Sequence, residues 1–129
     1  MARTICKIFG VVFLLAGVAG FAMPNLLGFH LTTIHNLIHI ASGAAALYFG
    51  SLGGPGAVKT FCVVFGAGYL ALGAVGFVVP GLVTSVIGHP PVSSGELMPD
   101  NVFHIVVGAL FLYAGLTAPR AVPVGRTAV

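Results

Sequence analysis

The chain has 129 residues, of which 58% are hydrophobic and only 5% are charged. A soluble domain carries about 25% charged residues, so this composition excludes an ordinary water-soluble protein and indicates a surface that mostly faces lipid. The net charge of +3 comes without the basic patch that nucleic-acid-binding proteins show. The length suits a single domain, residues 1–129.

Four apolar stretches are each close to the ~20 residues that cross a ~30 Å hydrocarbon core. Turn-forming segments rich in Pro, Gly and Asn separate them. Because the apolar runs are continuous rather than alternating, they predict helices rather than strands. We therefore expect an all-α membrane protein with four transmembrane helices in a bundle. In chain order the stretches are Ile5–Met23, Leu31–Phe49, Thr60–Val79 and Asn101–Ala118.

The second half of the chain resembles the first, which predicts a duplicated two-helix hairpin. Apolar residues match by chance in any two membrane helices, whereas paired Asn, His and Tyr residues do not. Repeat one spans residues 5–50 and repeat two spans residues 59–118. Because each repeat holds two spans, both have the same orientation and the repeat axis follows the membrane normal. The matching segments are Lys7–Phe13 with Lys59–Phe65, Gly20–Pro24 with Gly76–Pro80, and Asn36–Ile40 with Asn101–Ile105.

The charged residues predict the orientation of the bundle. With four spans, both acidic residues, Glu96 and Asp100, fall on one side of the membrane and all five cations fall on the other. The positive-inside rule then places the N- and C-termini in the cytoplasm. Cys6 and Cys62 lie near cytoplasmic helix ends, where a reducing compartment favours buried thiols over a disulfide. The cations are Arg3, Lys7, Lys59, Arg120 and Arg126.

All five histidines fall in the outer half of this topology. His39 lies about 10 Å below the outer start of its helix, and a polar group at that depth normally faces the bundle interior. Spacings of three, four and seven residues place an Asn, a His and two glycines of each second helix on one face. We expect the two faces to meet near the repeat axis and to gather their polar residues there. The faces are Asn36, His39, Gly43 and Gly50 in repeat one, and Asn101, His104, Gly108 and Gly115 in repeat two.

Three interpretations of these polar residues remain open. They form a hydrogen-bonded cluster that fixes the register of the helices. Alternatively, His39 and His104, flanked by Asn36 and Asn101, bind a haem or another tetrapyrrole in the bundle core. The third interpretation is a metal or proton site. In it, His35 and His39, one helical turn apart, combine with side chains of the second repeat. The ligand set for zinc or copper is then His35, His39, His104 and Asp100.

The sequence offers little for catalysis. It contains no nucleophile–base–acid set and no phosphate-binding loop, and its two acidic residues leave little for acid–base chemistry. The connection over residues 81–99 is much longer than the matching turn of the first repeat. Long connections in compact folds are often functional, so this loop is either a surface for a partner or a passive solvated segment.

The two Asn-x-x-His-x-x-x-Gly motifs, Asn36 to Gly43 and Asn101 to Gly108, resemble those of the bacterial four-helix membrane proteins grouped as DUF4383. The opening from Arg3 to Gly20 and the Pro-Asp-Asn-x-x-His stretch around Asn101 fit the same family, and the resemblance covers nearly the whole chain. The family has no assigned activity, so the resemblance implies a fold and a topology rather than a mechanism. The layout is also distantly similar to DoxX-like four-helix proteins, which hints at quinone-linked redox roles, but no residue carries that similarity.

Taken together, the sequence predicts a small scaffold or accessory subunit without intrinsic catalysis. It would lie in the bacterial cytoplasmic membrane or in internal membranes derived from it, and would pack against other membrane subunits or itself through glycine-rich helix faces. The alternative is a haem-, pigment- or metal-binding subunit of a redox or photosynthetic complex that uses His39 and His104. A channel or transporter is disfavoured, since broken helices and charges within the membrane are lacking.

Overall fold

The computed structural model describes residues 1–119, and these residues form helices and no strand. Arg120 and Arg126, on which the predicted orientation partly rests, lie outside the described residues. A 3-10 turn, Leu26–Gly28, follows the first helix. The five α-helices are α1 (Ala2–Gly20), α2 (Thr33–Leu52), α3 (Pro55–Val78), α4 (Pro80–Val86) and α5 (Met98–Thr117).

Three of these helices, α1, α3 and α5, are long and apolar enough to cross a membrane. The prediction of an all-helical fold is thereby confirmed for the described residues, and the three long apolar helices indicate a membrane protein. The helix α2 has 20 residues, but its first turns carry His35, Asn36 and His39, and it is not among the three. The number of spans and the sidedness of the termini stay predictions.

The helix starts follow from a few local residues. Pro55 and Pro80 stand in the first turns of α3 and α4, where the missing N–H of proline costs nothing. Thr32 caps α2, because its side-chain oxygen accepts a hydrogen bond from the backbone N–H of His35 at 3.1 Å. The same hydroxyl donates to the carbonyl oxygen of Ile87. The long connection over residues 81–99 is therefore tied to the start of α2. Its first part forms the short helix α4, where the sequence predicts a loop.

Glycines set the pairing of the long helices, α1 with α2 and α3 with α5. A Cβ placed on Gly43 would lie 2.8 Å from the carbonyl oxygen of Gly10, and a Cβ on Gly108 would lie 2.8 Å from that of Gly66. Such close backbone approach needs small residues on both helices. The glycine faces of α2 and α5 thus pack within their own hairpins. For the glycines, the prediction that these faces meet each other was wrong, because α1 and α3 carry glycine stripes of their own. The histidines near the starts of α2 and α5 do come together.

Residues of α1 and α3 that make matching contacts in the two hairpins differ by one constant number of residues. Cys6 and Cys62 are 56 residues apart, and a Cβ on Gly50 would touch Cys6 as a Cβ on Gly115 would touch Cys62. The sequence alignment of Lys7–Phe13 with Lys59–Phe65 differs from this separation by about one helical turn. Two apolar helices can be aligned in several registers, which explains the difference. The prediction of buried thiols is confirmed, and the two sulfur atoms lie 3.4 Å apart.

The hairpins meet through an aromatic core. The ring centroid of Phe65 lies 5.9 Å from that of Phe13, 4.4 Å from that of Tyr69 and 4.8 Å from that of Phe111. Aromatic pairs of this kind contribute about 0.5–1.5 kcal/mol each beyond the area that they bury. This core lies directly beneath His39, whose ring is 5.5 Å from that of Phe13, so it forms the floor of the polar site.

Candidate metal centre

Three buried histidines converge from two helices. His35 and His39 lie one turn apart on α2, and His104 lies on α5; each has a ring nitrogen within 4.8 Å of those of the other two. Their exposures are only 3–4%. The prediction that His39 and His104 come together agrees with this arrangement, and His35 joins them. Imidazole nitrogens gathered in this way are typical ligands of zinc and copper.

His39 lies at the centre of the group and has no hydrogen-bond partner for either ring nitrogen among the described residues. Its ring centroid is 4.3 Å from that of His35. A buried polar group that lacks a partner costs about 1–3 kcal/mol, and interior polar groups nearly always have one. A neutral imidazole has one N–H and one nitrogen with a lone pair, so His39 has one nitrogen available to a metal and one N–H available to a hydrogen-bond acceptor.

The hydrogen bond of His35 determines which of its nitrogens is free. Nδ1 of His35 lies 2.7 Å from the backbone carbonyl oxygen of His30. A carbonyl oxygen only accepts, so Nδ1 carries the proton and Nε2 keeps its lone pair. Metal-binding histidines usually donate their second N–H in this way, which fixes the orientation of the ring. His35 is thus held ready to ligate through Nε2.

Asp100, predicted as a fourth ligand, lies beside the three histidines rather than among them. Its Oδ2 accepts a hydrogen bond from the backbone N–H of His30 at 3.2 Å and lies 3.0 Å from Nδ1 of the same residue. Its Oδ1 is 3.9 Å from Nδ1 of His35. With a side chain only 2% exposed, Asp100 is a buried carboxylate next to the group and contacts it through the outer edge of His35.

The two asparagines lie elsewhere. Asn36 packs against Gly20 within the first hairpin and donates to the carbonyl oxygen of Leu31 at 3.3 Å, and Asn101 packs against Gly76 within the second. Both glycines leave room for an amide where any side chain would collide with it. The structure therefore gives the asparagines a packing role in their own hairpins and does not bring them into a shared cofactor site.

A cavity of about 190 Å³ opens beside the histidines. Pockets that hold drug-sized ligands usually have volumes of about 300–1,000 Å³, and a tetrapyrrole is at the large end of that class. The space beside His39 suits a metal ion and a small molecule better than a haem ring. The wall comprises His35, His39, His104 and Asp100 together with Val12, Ala16, Leu26, Leu27, Phe29, Leu31 and Phe103.

Comparison with known proteins places the chain in a family. The family model described as "Domain of unknown function (DUF4383)" matches residues 3–117. The chain belongs to the DUF4383 family. The resemblance inferred from the Asn-x-x-His motifs is thereby confirmed. No curated protein and no solved structure matches the chain.

In this DUF4383 protein, two further histidines, for which the sequence predicts no role, extend the polar site toward the surface. The ring of His30 is held by Asp100, and its centroid lies 4.7 Å from that of His89 in the long outer connection. His30 and Asp100 are 70 residues apart, so no local spacing could have revealed the contact. The long connection thus contacts the edge of the site through His89, and the half-buried His30 lies between Asp100 and His89.

The second acid of the DUF4383 protein lies in the same connection. Glu96 accepts hydrogen bonds from the backbone N–H of Ser93 at 2.8 Å and from the Ser93 hydroxyl at 2.7 Å. The backbone bond first, and then the hydroxyl, hold the pKa of the Glu96 carboxyl below its usual range. This exposed group therefore stays charged down to lower pH than an ordinary glutamate, which keeps a negative charge on the surface of the long connection.

Proposed function

We propose that this protein is a membrane metal-binding protein that holds one zinc or copper ion through His35, His39 and His104. The observation that carries the proposal is His39, a side chain 3% exposed whose two ring nitrogens lack a partner in the part of the chain that the structure describes. Two further histidines point ring nitrogens at the same small volume. A bound ion would supply a partner for the ring nitrogen of His39 that carries the lone pair, and His35 and His104 would complete the ligand set.

The donor atoms select the class of metal. Calcium and magnesium take oxygen ligands, whereas the three converging groups are imidazoles. Imidazole nitrogen suits zinc, copper and related first-row ions. Neutral imidazoles leave the charge of the ion uncompensated, and a buried charge needs a partner. The Asp100 carboxylate, 3.9 Å from Nδ1 of His35, provides one negative charge immediately outside the ligands.

The proposed function also requires a membrane topology in which the histidines lie near one face of the bilayer. The helix α2 packs along α1 as α5 packs along α3, and α2 and α5 both have 20 residues. We infer that α2 also crosses the membrane, with the termini in the cytoplasm and the histidines near the outer face. Reporter fusions test this: a periplasmic reporter inserted after Pro91 is expected to be active, and one inserted after Gly54 is expected to be inactive. The reverse pattern would contradict the orientation.

The scaffold role receives less support. It relied on glycine faces free to pack against other subunits, whereas the stripes on α1, α2, α3 and α5 are buried between the helices of each hairpin. Gly68 is an exception, since a Cβ there would meet nothing within 4 Å. The exposed leucines and valines of the bundle are what a lipid-facing surface requires and do not by themselves indicate a partner.

Metal analysis tests the proposed function. The protein, purified in detergent with and without added zinc or copper, is expected to hold one ion per chain after extensive dialysis. Co²⁺ added to the metal-free protein is expected to give the intense visible bands of a tetrahedral site, saturating at one equivalent. A variant with His35, His39 and His104 all replaced by Phe is expected to bind none, and His89→Phe serves as the matched control. Equal binding by the triple variant would overturn the proposal.

Replacing Asp100 by Asn is expected to weaken Co²⁺ binding about 10–100-fold, the usual cost of losing a group outside the ligands. The substitution removes the negative charge and weakens the support of His30, but keeps the size of the side chain. Equilibrium titration of the metal-free protein gives the dissociation constant, and circular dichroism checks the fold. Glu96→Gln removes the other, exposed acid and is expected to leave affinity unchanged. An unaltered dissociation constant in Asp100→Asn would show that this carboxylate plays no part.

A further inference from the structure

The three histidines provide fewer ligands than the metal requires. Zinc takes four ligands, and sites with three protein ligands leave the fourth position to water or an exogenous molecule. Within residues 1–119, His35, His39 and His104 are the group of His, Cys, Asp and Glu side chains that converges closely enough to hold an ion. A structural zinc site would be closed by a fourth side chain, and this one is not.

Asp100 is not placed to close the site. Its Oδ1 lies next to Nδ1 of His35, whereas the lone pair of that ring available to a metal is on Nε2, on the opposite edge. Its Oδ2 is occupied by the backbone and the ring of His30. The carboxylate therefore lies outside the ligand sphere, and the ion would retain an open position.

The open position faces the cavity. All three histidines contribute to the wall of the 190 Å³ space, and the rest of that wall, apart from Asp100, is apolar. An apolar cavity of about 150 Å³ in another protein stays dry and binds benzene. The space accommodates a diatomic molecule or a single ring, and its apolar wall residues favour a small neutral molecule over a hydrated anion.

The mouth of the cavity indicates where such a molecule comes from. Leu27 forms part of the wall and is 82% exposed, in the 3-10 turn between α1 and α2. Val12, on the same wall, is 38% exposed on the surface of α1. Val12 lies within a helix long and apolar enough to cross a membrane, so this part of the wall faces lipid where α1 spans the bilayer. Molecules that dissolve in the bilayer reach the cavity directly.

We propose that the cavity is a ligand site at which a small, neutral, lipid-soluble molecule with one lone-pair donor atom binds to the open position of the metal. This inference rests on the proposed function, because the metal provides the bond. Binding forms one donor–metal bond, with displacement of a water molecule where one is present, and needs no oxidant or reductant. The apolar wall selects by size and by lack of charge.

The experiment uses the Co²⁺-loaded full-length protein and imidazole as the probe, at a pH where imidazole is uncharged. Imidazole is expected to shift the visible bands in a saturable and reversible way. Ala16→Phe places a ring in the cavity and is expected to weaken this response at least ten-fold while Co²⁺ affinity stays within about three-fold. Val12→Phe serves as a second blocking variant. The matched control is Leu15→Phe, because Leu15 is 65% exposed on the surface of α1, and this variant is expected to keep the full response.

The outcomes separate the two proposals. If Co²⁺ does not bind to the wild-type protein, both the metal site and the ligand site are refuted. If Co²⁺ binds but imidazole causes no shift, the metal site stands and the open position is refuted. A full imidazole response in both Ala16→Phe and Val12→Phe, with normal Co²⁺ affinity, would place the ligand outside the cavity and overturn this inference alone.

Discussion

Replacing His39 by phenylalanine is expected to abolish metal binding while leaving the metal-free protein at least as stable as the wild type. The two ring nitrogens of His39 are buried without partners among the described residues, and each such group costs about 1–3 kcal/mol. Phenylalanine has nearly the same shape, keeps the contact with Phe13 and has no polar atom to satisfy. The residue that is essential for the proposed function is therefore a burden on the empty fold.

Thermal unfolding in detergent, with and without zinc, measures both effects. Metal at 100 times its dissociation constant is expected to stabilise the wild type by about 2.7 kcal/mol and to leave His39→Phe unaffected. His89→Phe removes a partly exposed ring outside the group and is expected to retain the whole zinc effect. If metal-free His39→Phe were instead much less stable than wild type, the imidazole would have to make bonds that the structure does not show.

Gly66→Ala is expected to destabilise the protein by about 1–3 kcal/mol or more, the usual cost of overpacking a close interface. The new methyl group would collide with the backbone of Leu112 and lie 2.8 Å from the carbonyl oxygen of Gly108. Backbone atoms cannot rotate away, so α3 and α5 would have to separate. That movement would also shift His104, which lies one turn before Gly108 on the same helix.

Gly68→Ala, two residues further along α3, is the matched control. A Cβ there meets nothing within 4 Å, and alanine favours a helix over glycine by up to about 1 kcal/mol. We expect this variant to be as stable as wild type or more stable, with unchanged Co²⁺ affinity. Chemical unfolding of both variants in the same detergent makes the comparison, and equal stabilities would contradict the proposed role of glycine in the helix contact.

The local features of this molecule can be predicted from its sequence. The apolar runs located the four long helices to within a few residues, except that α3 begins at Pro55 rather than Thr60. The Asn-x-x-His motifs led to the family and to the two histidines that meet across the hairpins. These features depend on hydrophobicity and helical period, both of which act within a few turns of one chain segment.

The features that the sequence analysis missed depend on contacts between distant segments. The glycine stripe on α2 could pack against either α1 or α5, which have similar compositions. The packed structure shows that it contacts α1. The contact of Asp100 with His30, and that of Thr32 with Ile87, join positions 70 and 55 residues apart. The sequence predicts His35 as a metal ligand because His39 lies one helical turn away, whereas His30 and His89 have no such spacing to another histidine.

The origin of the three ligands has a further consequence. Contacts are far more extensive within each hairpin than between the two, and His35 and His39 belong to the first hairpin while His104 belongs to the second. A bound ion would therefore act as a cross-link between two halves that each hold themselves together. Chelation would loosen their association before it unfolded either half, so metal supply would control how firmly this bundle stays assembled in the membrane.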